Sequence, residues 1–160
     1  MNVDKVDYGQ SYVADVLAGL PFPDASVRYI VANHSLSDLS HHELAPALIE
    51  LRRVLMPGGV LRLLVPDLLG AFAAYERGDA AWFPLGDDLV SVDERLCCYV
   101  GWFGTAKSQW TYLYAVSLLD AAGFGAIATA TPHEPMLSTD PRIASLDDRE
   151  TQALIVEARK

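Results

Sequence analysis

Two places in the sequence could support proton transfer at the end of a strand. The stretch "VANHSLSDL" sets Asn33 and His34 directly after a run rich in β-branched residues, and "LLVPDLL" sets Asp67 after a second such run. An imidazole titrates near neutral pH and a carboxylate is ionised there, so His34 and Asp67 are candidate general bases. Each has a second reading. His34 could instead close its loop by a hydrogen bond to backbone, and Asp67, next to Pro66, is well suited to N-cap a following helix. Ser35 and Ser37 stand near His34, but no motif fixes a nucleophile–base geometry.

Other chemistry-bearing residues read more plainly. His41 and His42 are adjacent in a helical pattern and point about 100° apart, so they read as solvated residues of a helix start and not as metal ligands. Gly58-Gly59 follows a helix, whereas a phosphate cradle precedes one, so the pair reads as a turn. The aromatic group Trp102, Phe103, Trp110, Tyr112 and Tyr114 fits an apolar substrate pocket, a core or a subunit interface.

The elements that must hold these residues are visible in the pattern. "VRYIVAN" (27–33), "VLRLLVP" (60–66), "GAIATAT" (125–131) and "ALIVEAR" (153–159) are short and β-branched, bounded by Pro, Gly or Asp, and "SYVADV" (11–16) is a weaker strand. Between them, Leu44, Ala47, Leu48, Leu51, Val54 and Leu55 keep helical spacing, with Ser40 and Glu43 at capping-box positions. Pro46 predicts that the regular helix begins near it, where a missing N–H costs nothing. Further helices are predicted over 66–78, 87–104 and 109–124, and 132–142 reads as a long loop. Strands alternating with helices predict an α/β fold, a mainly parallel sheet covered on both faces. Ligands in such sheets bind off the carboxyl ends of strands, which selects Asn33-His34 and Pro66-Asp67.

Composition narrows the classes. The 160 residues are one domain by length, and 51% apolar content excludes a disordered chain. A net charge of −9 argues against nucleic acid or anionic membrane as partner. No run of 18 or more apolar residues and no secretory leader is seen, and the neighbouring Cys97 and Cys98 provide no disulfide framework, so a cytoplasmic location is expected.

Four ordered stretches, "LPFPDASV", "ANHSLSDL", "LRRVLMPGGVLRLLVPDL" and "LLDAAGF", together resemble class I S-adenosylmethionine-dependent methyltransferases. They are most similar to a small branch with LPFPDNS, SHVLEHL, RVLKPGG and VPDL motifs, and "DDRETQALIVEARK" resembles that branch's last strand. The resemblance implies a Rossmann-like sheet and S-adenosylmethionine as cofactor. It aligns "NVD" (2–4) with the end of the family's second strand, so that Asp4 would bond the ribose hydroxyls. Asp15 would face the adenine amino group and Val16 the ring, with Asn33 and His34 as further cofactor contacts. The family's first strand and its glycine-rich loop, which let backbone approach the methionyl part, find no counterpart in the sequence. Ser37-Asp38 stands where the family has Glu-His, Arg28 where an aspartate is usual, and Ser108 or Gln109 where a histidine is expected.

In the family's sheet the first strand lies between the second and the fourth. Without it the 27–33 strand is expected to be an open edge, which either draws a partner (a homodimer or a complementing chain) or is covered by a shifted 6–16 segment. Three functions follow. One is a methyltransferase-like domain, truncated but single over 1–160, with impaired or lost cofactor binding and a partner or repurposed role. Another is an active methyltransferase of a small metabolite or sugar, completed by an upstream segment or second chain. The third is a cofactor-independent enzyme such as a cyclase or hydrolase.

Overall fold

The computed structural model describes residues 3–4, 6–7, 9–147 and 151–160. Asn2 of the "NVD" stretch, Tyr8 of the 6–16 segment and residues 148–150 of the C-terminal stretch lie outside them. Ten regular elements follow in chain order: β1 (Val3–Asp4), β2 (Tyr12–Val13), β3 (Val27–Asn33), α1 (His41–Val54), β4 (Leu55–Pro66), α2 (Leu68–Glu76), α3 (Val92–Gly101), α4 (Tyr112–Ala121), β5 (Gly125–Thr129) and β6 (Ala153–Arg159). They form a four-stranded sheet in the order β3-β4-β6-β5 and a separate pair, β1-β2. β3 and β4 are parallel, and β6 is antiparallel to both β4 and β5, so three of the four strands run one way. The pair β1-β2 is parallel too. Residues 12–13 therefore pair with 3–4 and not with β3. The expected shift of the 6–16 segment onto β3 does not occur, and among the described residues the outer edge of β3 is open.

One face of the sheet is covered by helices. Leu44, Ala47, Leu48, Leu51 and Val54 of α1 are buried, and Leu118 and Leu119 of α4 join them against Leu61, Leu63, Val65 and Val156. The expectation that α1 begins near Pro46 is corrected, because the helix starts at His41 and runs through the proline. An interior proline costs about 3 kcal/mol. Burying Leu44 and Leu48 completely, at about 1.5–3 kcal/mol each, outweighs it. The first turn is also fastened locally, since Glu43 accepts from the Ser40 N–H at 2.7 Å and its hydroxyl at 2.6 Å.

The helix passes directly into β4 through a tight turn. Gly58 has φ 76°, and a Cβ on Gly59 would stand 2.8 Å from the Met56 carbonyl oxygen and 2.9 Å from that of Arg28, so only glycine fits there. The second face of the sheet carries, among the described residues, a short 3-10 helix, Pro141–Ala144. It is covered by the segment 131–147, whose Ile143 and Ala144 pack on Val60, with Tyr29, Val31 and Leu137 around them. α2 and α3 build a small lobe around Ala71, Ala74, Phe83 and Tyr99 beyond the carboxyl end of β4. No helix among the described residues is long and apolar enough to cross a membrane.

Candidate functional site

The space between β1 and β3 is a cavity of about 1320 Å³. Val3, Asp4, Ala14, Asp15 and Val16 line one side, and the whole of β3 with the turn Ser35–Asp38 lines the other. The sequence-selected residues Asp4, Asp15, Val16, Asn33 and His34 thus share one cavity. Asp67 is not among its lining residues. Its carboxylate accepts from the Gly70 N–H at 3.1 Å and caps α2, the second of the two readings open for it.

Each wall has a local cause. Asp4 and Asp15 turn their own loops, accepting from the N–H of Val6 at 3.1 Å and of Leu17 at 2.9 Å. The "LPFPD" stretch is fastened to α1 by Arg53, which donates to the carbonyls of Leu20 and Phe22 and to the carboxylates of Asp24 and Glu50. Glu50 also accepts from the Leu20 N–H at 2.6 Å, and the Arg53 guanidinium holds its carboxyl below the usual range. Two stretches singled out in the sequence are therefore one structural device that sets Leu20 and Phe22 on the cavity wall.

At the carboxyl end of β3 the backbone is strained. His34 has φ 52°, an uncommon value for a residue with a Cβ. Its carbonyl accepts from the Ser37 hydroxyl at 2.7 Å. Ser37 is buried, and its own carbonyl accepts from the N–H of Lys107 at 2.8 Å and of Ser108 at 3.1 Å. Asp38 is exposed on the cavity. The aromatic group divides. Trp110 is fully buried core, Tyr112 and Tyr114 pack against the core, Trp102 lines the cavity, and Phe103 is exposed. Trp102 and Phe103 follow one another with φ 41° and 55°, strain of the kind that collects at ligand sites.

A further part of the wall, Arg142, Ser145 and Leu146, belongs to the 131–147 segment and adjoins the end of β3. The Asn33 amide Nδ2 donates to the Leu146 carbonyl at 3.0 Å, while Oδ1 is closed from solvent and has no partner among the described residues. Behind Leu146 stands an ionic cluster that sequence reading missed. Arg62 is fully buried on β4, with Asp147 and Glu157 beside it. Burial works against the Arg62 charge, but the two carboxylates outweigh it and hold its pKa above the ordinary value.

Residues 2–63 match the family model described as a methyltransferase domain. Solved structures share the fold over most of the chain. A methyltransferase from Thermotoga maritima is 18% identical with a TM-score of 0.55, covering 95% of this chain and 65% of its own. One from Mesorhizobium loti is 18% identical with a TM-score of 0.52, covering 97% and 71%. The chain shares the α/β fold of class I methyltransferases, and its residues 2–63 are similar to a methyltransferase domain. A Haloferax volcanii methyltransferase, solved in complex with the Trm112 methyltransferase activator, is 14% identical at a TM-score of 0.52, covering 93% and 61%. The chain thus spans less than two thirds of the length of the Thermotoga and Haloferax structures. No curated protein matches it.

Against the strand order expected for a class I methyltransferase, the cavity between β1 and β3 falls where the first strand would lie. The residues present fit one half of S-adenosylmethionine. Asp4 and Asp15 are acceptors suited to ribose hydroxyls and the adenine amino group, and Val16, Leu20 and Ile30 provide apolar wall. No glycine is among the described residues lining the cavity.

Proposed function

We propose that residues 1–160 form a methyltransferase-like domain whose described cavity holds the adenosine end of S-adenosylmethionine weakly and does not grip its methionyl end. The observation that carries the reading is the β1–β3 cavity, with Asp4, Asp15 and Val16 on one wall, Asn33 and His34 on the other, and no glycine cradle. In this reading Asp4 accepts from the ribose, Asp15 from the adenine amino group, and Val16 packs on the ring. Nuclear magnetic resonance of the labelled chain tests it. Adding adenosine should shift the amides of Asp4, Asp15, Val16 and Asn33, and Asp4→Ala with Asp15→Ala should abolish the shifts. Shifts confined to the α2–α3 lobe, or none at millimolar adenosine, would sink the proposal.

A second reading is favoured by the two facing strand edges. A strand supplied by an upstream segment, a second copy or another chain would pair with the open edge of β3 and complete the site. The cofactor, when bound, supplies an electrophilic methyl group on its sulfonium. The completed domain would then be an active methyltransferase for a small-molecule acceptor. Methyl transfer rests mainly on alignment of donor and acceptor. His34, on the cavity at the carboxyl end of β3, would take the proton from a protonated acceptor atom. Asp67 would stay outside the chemistry as a helix cap. Complementation in the cytoplasm by a partner chain would suit this arrangement.

A further inference from the structure

The buried ionic cluster stands behind the cavity, and its bonds run toward it. Arg62 uses all five of its N–H groups. Nε donates to Asp147 Oδ1 at 2.9 Å, and one Nη2 hydrogen goes to Asp147 Oδ2. Nη1 donates to Glu157 Oε1 at 2.6 Å and to the Glu134 carbonyl at 3.2 Å, and the other Nη2 hydrogen reaches the Thr131 carbonyl at 2.9 Å. The carboxylates are filled from the same segment. Asp147 accepts from the His133 N–H at 2.7 Å, and Glu157 accepts from those of Met136 at 3.0 Å and Leu137. One guanidinium on β4 and one carboxylate on β6 thereby hold both ends of the 131–147 segment against the sheet. That segment carries Arg142, Ser145 and Leu146 of the cavity wall.

We infer that Arg62 is a positioning residue for the cavity, acting through Asp147 and the adjoining Leu146 carbonyl on the side-chain amide of Asn33. The inference rests on the cavity being the ligand site proposed above. A hydrophobic pair of similar volume would hold a segment as firmly as a buried ion pair does, or more so. What the ions add is direction, because a planar fork with five fixed donors admits one placement of Asp147. Leu146 precedes Asp147, so its carbonyl is placed with it. That carbonyl in turn selects which end of the Asn33 amide faces Leu146. A lysine provides three donors from one atom and cannot reproduce the fork.

The test uses Arg62→Lys and, because that change could unfold the chain, Asp147→Asn, which keeps the shape and removes the charge. Leu119→Ala, in the helix-covered core on the opposite face, is the control for lost stability alone. All are compared at a temperature where each is fully folded. The Asn33 side-chain amide resonance reads the placement directly and needs no ligand. It should move toward its solvent-exposed position and exchange faster in Arg62→Lys and Asp147→Asn, and stay in place in Leu119→Ala. Adenosine affinity should fall about tenfold in the first two and remain in the control. An unmoved Asn33 amide in both cluster variants would overturn the inference, whatever happens to adenosine. An amide that moves in the cluster variants, while the wild-type chain binds no adenosine, would uphold the positioning and sink only the ligand reading.

Discussion

His34 holds a left-handed backbone at the point where β3 ends on the cavity, and a side chain there works against the local geometry. Left-handed φ costs a residue with a Cβ about 1–2 kcal/mol, and glycine escapes that cost. His34→Gly should therefore be more stable than His34→Ala by about 1 kcal/mol in chemical denaturation. Equal stabilities would mean that the turn relaxes without its strain. Asp140 makes a second prediction at this scale. The Arg142 side chain donates to both of its oxygens, and the Arg142 N–H donates as well, so the carboxyl is held down to about 2. A depressed folded value means that the pair stabilises the fold above the ordinary carboxylate range and loses that contribution as pH falls through about 2. A carbon-detected titration of Asp140 should find its midpoint there, and a midpoint near the ordinary value would show the pair to be open in solution.

At the scale of elements, Asp67 separates capping from chemistry. Asp67→Ala should cost about 1 kcal/mol of stability through the lost cap of α2 and leave adenosine binding unchanged, since the carboxylate is off the cavity wall. A loss of adenosine affinity in a chain of unchanged stability would reverse that assignment. The sequence already showed β3 and β6 with their observed ends, because β-branched runs bounded by turn residues leave little choice of length. It misplaced the start of α1, where Pro46 suggested a boundary and buried leucines with a fastened first turn overrode it. That Asp4, Asp15 and Asn33-His34 would lie together was legible through motif order and the rule that ligands sit off strand ends, and they line one cavity. The Arg62 cluster was not. Arg62, Asp147 and Glu157 are 85 and 95 residues apart in sequence, and each alone reads as an ordinary surface charge. Nor does any local pattern announce the left-handed pair Trp102-Phe103, which depends on the packing of the α2–α3 lobe.

For the whole molecule, the division of the sheet decides what the chain can do alone. The His34 N–H is bonded to the Leu64 carbonyl, so by the alternation of a strand the N–H groups of Tyr29, Val31 and Asn33 point away from β4 toward the cavity. In an isolated chain these three amides should exchange with solvent much faster than those of Ile30, Ala32 and His34. Protection of all six that rises with protein concentration would mean that a second copy fills the edge, making the homodimer the working form. In the proposed reading the cavity grips adenosine and not the methionyl end. That reading is tested most directly by calorimetric titration of the chain with adenosine and with S-adenosylhomocysteine. Weak, millimolar binding of the two with nearly the same affinity is expected. Micromolar binding of S-adenosylhomocysteine, about tenfold or more tighter than adenosine, would contradict it and show that the methionyl end is held after all.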